Sequence, residues 1–131
     1  MTGKPAILVV DDDPGVRRWL QRILHKYGYY AIAVGDTLQG LAAFAQGEDE
    51  IVLAIVDMVL PGAPGLDLAA ELGRRRPDLR VLYISGCVDS IAMRAIARTS
   101  PEVVLLKPFT ERSFIDRVGQ LITNRMDAAN G

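Results

Sequence analysis

Soft and redox-active side chains are scarce: the 131 residues include one cysteine, one histidine and one tryptophan. A lone cysteine, Cys87, excludes an internal disulfide. With no second thiol and no cationic helix end beside it, Cys87 reads as inert. An excess of charge of one sign is also missing. Fifteen Lys and Arg stand against sixteen Asp and Glu, a net charge of −1. Nucleic-acid binding by the bulk surface is therefore not indicated. No apolar stretch exceeds strand length, so no membrane-spanning helix is expected. The opening Met1-Thr2-Gly3-Lys4-Pro5 lacks the apolar core of a signal peptide. These absences lead us to expect a cytoplasmic protein. What is present is a hydrophobic half, which argues against a disordered chain. The length suits one domain with a substantial core.

Strand and helix patterns alternate along the chain. Ala6–Val10 is an apolar run, followed by Asp13 as N-cap and Pro14 at the first helical position. Val16, Trp19, Leu20, Ile23, Leu24 and Tyr27 then recur at helical spacing, and Gly28 stops the helix. On this pattern Trp19 belongs to the core. Residues 29–34 read as a second strand, and Asp36 or Thr37 caps a helix containing Leu38, Leu41 and Phe44. Ile51-Val52-Leu53-Ala54-Ile55-Val56 is a third strand, closed by a Pro61-Gly62 loop. Leu66, Leu68, Ala69 and Leu72 follow on a third helix, and residues 80–84 on a fourth strand. Asp89 or Ser90 starts a fourth helix, unusually apolar through Ile91, Ala92, Met93, Ala95 and Ile96. Residues 102–106 form the fifth strand, and Thr110 caps a last helix with Phe114, Val118 and Leu121 on one face. Five such units predict an α/β fold: a parallel five-stranded sheet between two helical layers.

Polar residues collect where these strands end. Asp11, Asp12 and Asp13 follow the first strand, Asp57 the third, Ser85 and Gly86 the fourth, and Lys107-Pro108 the fifth. In open parallel sheets, ligands bind beyond the carboxyl ends of the strands. A carboxylate at the end of a buried strand is costly unless something pairs with it. Magnesium suits such a site, because it takes oxygen ligands and needs only one or two carboxylates. Asp12 and Asp57 are the candidate direct ligands, Asp11 acts directly or through water, and the Val59 carbonyl lies two residues on. Asp57 is then a candidate nucleophile, since aspartyl phosphate is an established covalent intermediate. Lys107, Ser85 and the Gly86 N–H can neutralise phosphoryl oxygens. Pro108 restricts Lys107 to extended backbone and is a candidate for a cis peptide bond.

Val9-Val10-Asp11-Asp12-Asp13, Asp57-Met58-Val59-Leu60-Pro61 with Gly65, Ser85-Gly86 and Lys107-Pro108-Phe109 together resemble the receiver domain of two-component response regulators. The resemblance spans residues 1–126 as one domain, leaving 127–131 as a tail expected to fray. It implies a flavodoxin-like (βα)5 three-layer sandwich with strand order 2-1-3-4-5. It also implies that Asp57 accepts a phosphoryl group, with Mg2+, from a histidine kinase or histidine phosphotransfer protein. Ser85 would be the switch hydroxyl and Lys107 the phosphate-binding lysine. An output partner would use the face of helix 4, strand 5 and helix 5, and a homodimer is compatible with the family. Val104 departs from the aromatic that often stands three residues before the lysine. The run Leu82-Tyr83-Ile84-Ser85-Gly86-Cys87 resembles receivers attached to hybrid kinases.

Two other readings compete. A magnesium-dependent phosphohydrolase with an aspartyl nucleophile would want an acid two residues after Asp57, where this chain has Val59. External-substrate turnover is therefore not expected. A pseudo-receiver scaffold would not need the full set of acids, hydroxyl and lysine. His25 beside Lys26 reads as a surface residue, and Arg74-Arg75-Arg76 as cations complementing a helix end.

Overall fold

The computed structural model describes residues 5–60, 64–86 and 91–130, with side chains described as far as residue 123. Pro61, Gly62, Cys87, Asp89 and Ser90 lie outside the described residues. Five strands, β1 (Ala6–Val10), β2 (Tyr30–Val34), β3 (Ile51–Asp57), β4 (Arg80–Ser85) and β5 (Val104–Leu106), form one sheet. Its order is β2-β1-β3-β4-β5 and every pairing is parallel. Helices α1 (Pro14–Lys26), α2 (Thr37–Gly47), α3 (Gly65–Arg75) and α4 (Ile91–Thr99) make the crossovers, and α5 (Glu111–Asn130) follows the last strand. This is the flavodoxin-like arrangement the sequence predicts.

Burial on both faces explains the near-continuous apolar strands. All five residues of β1 are buried. Ile7, Val9, Ile55 and Leu82 pack beneath α1 and α5, against Leu20, Leu24, Phe114 and Val118. Their alternates Leu8, Val10, Ala54 and Val56 face α2 and α3, against Phe44, Leu68 and Leu72. The two cores hold the sheet rigid, and its carboxyl edge is what they position.

Local signals end the elements where the sequence implies. The Asp13 carboxylate accepts from the Gly15 and Val16 amides, and Pro14 supplies a fixed φ to the first turn of α1. Gly28 leaves α1 at φ 92, a left-handed conformation that favours glycine. Asp36 caps α2 through the Gln39 amide, and the Thr110 hydroxyl accepts from the Ser113 amide at the start of α5. The arginine triplet is structural. Arg74 and Arg75 pair with Glu71, and Arg76 donates to the carbonyls of Glu48 and Ile51.

Two expectations change. The fifth strand is only Val104–Leu106, because Pro101–Val103 forms a 3₁₀ turn first. Trp19 is 38 % exposed rather than core. It sits at the margin of α1 and stacks on Phe109 with ring centroids 5.6 Å apart. Leu38, on α2, is exposed. The last helix, α5, runs to Asn130.

One glycine fixes how α3 meets β3. The Gly65 amide donates to the Met58 carbonyl at 3.1 Å. A Cβ at Gly65 would lie 2.9 Å from Met58 Cα and closer still to the Asp57 carbonyl oxygen. Both contacts are backbone, so neither can move without shifting the strand end. Gly65→Ala is expected to cost roughly 1–3 kcal/mol. Thermal denaturation should show it as a lowered Tm, and a wild-type Tm would contradict this packing.

Candidate functional site

The strand ends converge as the fold requires. Strand order reverses between β1 and β3, which places Asp11 and Asp57 on adjacent strands at the switch point. Asp11, Asp57 and Ser85 are the buried polar residues here, at 1 %, 6 % and 3 % exposure. Asp12 is exposed beside them. One carboxylate oxygen from each of Asp11, Asp12 and Asp57 lies within 4.8 Å of the others.

Each buried acid is held by its own local backbone. The Asp13 amide donates to Asp11 Oδ1 at 2.9 Å, and the Val59 amide donates to Asp57 Oδ1 at 2.9 Å. The other Asp57 oxygen, Oδ2, faces Lys107 Nζ at 3.4 Å. Lys107 reaches it because its backbone amide donates to the Ser85 carbonyl at 2.8 Å, extending the β4–β5 ladder. The Met58 amide donates to the Ile84 carbonyl at 2.9 Å and continues the β3–β4 ladder in the same way. The Lys107–Pro108 peptide bond is cis. Gly86 is exposed at the end of β4, and Val104 is buried on β5.

Asp11 Oδ2 is buried and has no hydrogen-bond partner among the described residues. Native proteins rarely leave such an atom unsatisfied. Burial pushes the Asp11 carboxyl above the usual range, and the charges of Asp57 and Asp12 push the same way. The Asp13 amide and Lys107 oppose them. An orphaned carboxylate oxygen among three converging acids fits a hard divalent cation. The donor set is all oxygen, as magnesium requires.

The sequence reading overlooked two supports. Arg17 Nη1 donates to the Asp11 carbonyl at 2.8 Å, from the first turns of α1. Gly35 leaves room for it: a Cβ there would lie 2.9 Å from Arg17 Nη1. The clue was the position of Arg17, four residues after the N-cap on the turn facing the β1 end. The second support is the stack Trp19–Phe109–Phe114, with centroids 5.6 and 5.8 Å apart. It anchors the chain just after Lys107-Pro108 to α1 and to the core. His25 is exposed on α1, as the sequence suggests.

The raised Asp11 carboxyl has a consequence for stability without metal. A folded-state pKa above the unfolded value means the folded chain binds more protons between the two. The stabilising contribution is complete below the unfolded value near 3.8 and is lost as pH rises through the raised folded value. At neutral pH without divalent cation, Asp11→Asn should therefore stabilise, on the order of 1 kcal/mol or a Tm gain of roughly 3–6 °C. Magnesium should raise the Tm of the wild type and not that of the variant. Equal magnesium responses in both would remove Asp11 from the cation site.

The family model described as the response regulator receiver domain matches residues 7–119. The transcriptional regulatory protein AruR of Pseudomonas aeruginosa is 33 % identical over 121 residues, which cover 90 % of this chain and 49 % of AruR. The chain thus spans about half the length of that relative. A receiver domain protein from Methanospirillum hungatei superposes with TM-score 0.84 at 23 % identity, covering 96 % of this chain and 99 % of its own, a likeness of fold. The response regulator TrrA of Thermotoga maritima, crystallised in complex with Mg2+ and BeF, superposes with TM-score 0.77 at 25 % identity, covering 89 % of this chain and 98 % of its own.

Proposed function

Because the chain belongs to the response regulator receiver domain family, we propose that Asp57 is its phosphoacceptor. The observation that carries this is the triad of acids around an orphaned buried oxygen, with Lys107 3.4 Å from Asp57 Oδ2. The donor is a phosphohistidine on a histidine kinase or phosphotransfer protein. An Asp57 carboxylate oxygen bonds to phosphorus as the P–N bond breaks, and the electron pair leaves with the imidazole. The reaction needs positioning and charge neutralisation more than a base. The Val59 amide fixes one oxygen of Asp57 and so fixes the orientation of the carboxylate. Lys107 offsets the charge on the other, and the Ser85 hydroxyl and Gly86 amide stand at the adjoining strand end to receive phosphoryl oxygens.

Asp11, Asp12, Asp57 and the Val59 carbonyl would hold Mg2+. When bound, it neutralises the acids and the incoming phosphoryl group. TrrA, with its bound Mg2+ and BeF, supports that choice. Ser85 and Lys107 meet through the β4–β5 ladder. A shift of either side chain toward a phosphoryl group therefore acts on one short strand and on the helices around it. The output surface we favour is the face of α4, β5 and α5, where Ile91 and Leu106 are exposed at 85 % and 49 %. A second copy of the chain could use the same face. Val104 gives that face no aromatic on β5, so output there depends on the backbone and Ser85. The reading implies a signalling module in the cytoplasm, with no turnover of an external substrate.

Intact-protein mass after incubation with acetyl phosphate tests the assignment. Wild type should gain a single phosphoryl group only with Mg2+, and Asp57→Asn should gain none. Labelling of Asp57→Asn at wild-type stoichiometry would overturn it. Lys107→Ala should fold but label at least about 10-fold more slowly.

A further inference from the structure

Of the three converging acids, two have anchored carboxylates. Asp11 accepts from the Asp13 amide, and Asp57 from the Val59 amide and Lys107. The Asp12 carboxylate is exposed and makes no hydrogen bond or ion pair among the described residues. Its place is therefore set by the backbone that carries it.

One residue grips that backbone on both sides. The Arg17 amide donates to the Asp13 carbonyl at 2.9 Å, and Arg17 Nη1 donates to the Asp11 carbonyl at 2.8 Å. Asp12 lies between the two. The Asp11 amide still donates to the Val34 carbonyl at 3.1 Å, but β2 stops at Val34. The guanidinium supplies the donor for the Asp11 carbonyl, and a charged donor makes the stronger kind of hydrogen bond. Arg17 forms no ion pair among the described residues. Nor is it among the charges that shift the Asp11 carboxyl. Its guanidinium serves the peptide and not the acids. Gly35 makes the space for it. A Cβ there would lie 2.9 Å from Arg17 Nη1 and 3.7 Å from its Cζ, while the Gly35 backbone lies outside the left-handed region. The glycine is therefore needed for room and not for conformation.

We infer that Arg17, in the space left by Gly35, is a positioning residue for the cation site: it holds the Asp11–Asp12 peptide so that the Asp12 carboxylate meets those of Asp11 and Asp57. The inference rests on the Mg2+ site proposed above. Charge and position predict opposite signs. If the guanidinium acted only as a cation, its removal would strengthen Mg2+ binding, because like charges repel. If it positions the acids, its removal weakens binding.

The test is a titration of the full chain with MgCl2 at constant ionic strength, followed by the Asp13 and Val59 amide shifts in two-dimensional NMR. Arg17→Ala should raise the Mg2+ Kd about 10-fold. Gly35→Val keeps the cation in the chain but fills its place, and should raise Kd at least about 3-fold. Added to Arg17→Ala, Gly35→Val should change Kd by less than about 2-fold, because the two act through one contact. An unchanged or lower Kd in Arg17→Ala, or a fully additive loss in the double variant, would overturn the role of Arg17 and leave the Mg2+ site standing. Shifts that fail to saturate in the wild type would overturn both.

Discussion

Buried negative charge at the carboxyl edge of the sheet is the constraint on which the rest depends. Asp11 and Asp57 end adjacent strands and are both nearly sealed from water. Each would be costly alone, and together they repel. The structure answers with an amide for one oxygen of each acid and with Lys107 for the second oxygen of Asp57. The second oxygen of Asp11 is left over. That unpaired oxygen, beside the carboxylates of Asp12 and Asp57, leaves an all-oxygen donor set that suits a divalent cation.

The scaffold exists to hold that cost in place. Two apolar cores clamp the sheet from both faces, so the strand ends do not relax apart. Gly65 lets α3 start directly against the backbone of Asp57 and Met58. Arg17 ties α1 to the Asp11 carbonyl, and the Trp19–Phe109 stack ties α1 to the segment after Lys107. These contacts come from different elements and meet at one edge. Lys107 contacts Asp57 through its side chain and Ser85 through its backbone, so the acid is joined directly to the β4–β5 ladder.

Much of this was legible in the sequence, for physical reasons. Strands buried on both faces have to be apolar, so Ile51 to Val56 announced β3 and made the following Asp57 conspicuous. The caps at Asp13 and Thr110, and the stop at Gly28, are local chemistry that a short stretch of chain is enough to reveal. Tertiary context was not legible. Glu102 and Val103 continue a strand-like run, yet Pro101 opens a 3₁₀ turn that shortens β5. Trp19 obeys the helical period, but it is 38 % exposed and stacks on Phe109 instead of entering the core. Arg17 looks like a solvated cation in the sequence; only the packing of α1 on the sheet brings the Asp11 carbonyl within its reach. The orphaned Asp11 oxygen is likewise a property of the packed site, visible only when every neighbour is in position.

The most direct test of the account is a crystal structure of the wild-type chain with Mg2+ and beryllofluoride. Beryllium bonded to an Asp57 oxygen, a cation contacting Asp12 and the unpartnered oxygen of Asp11, and Lys107 on a fluoride would be the predicted result. A cation elsewhere, or beryllofluoride absent from Asp57 at saturating concentration, would contradict the claim that these strand ends form a phosphoryl-accepting site.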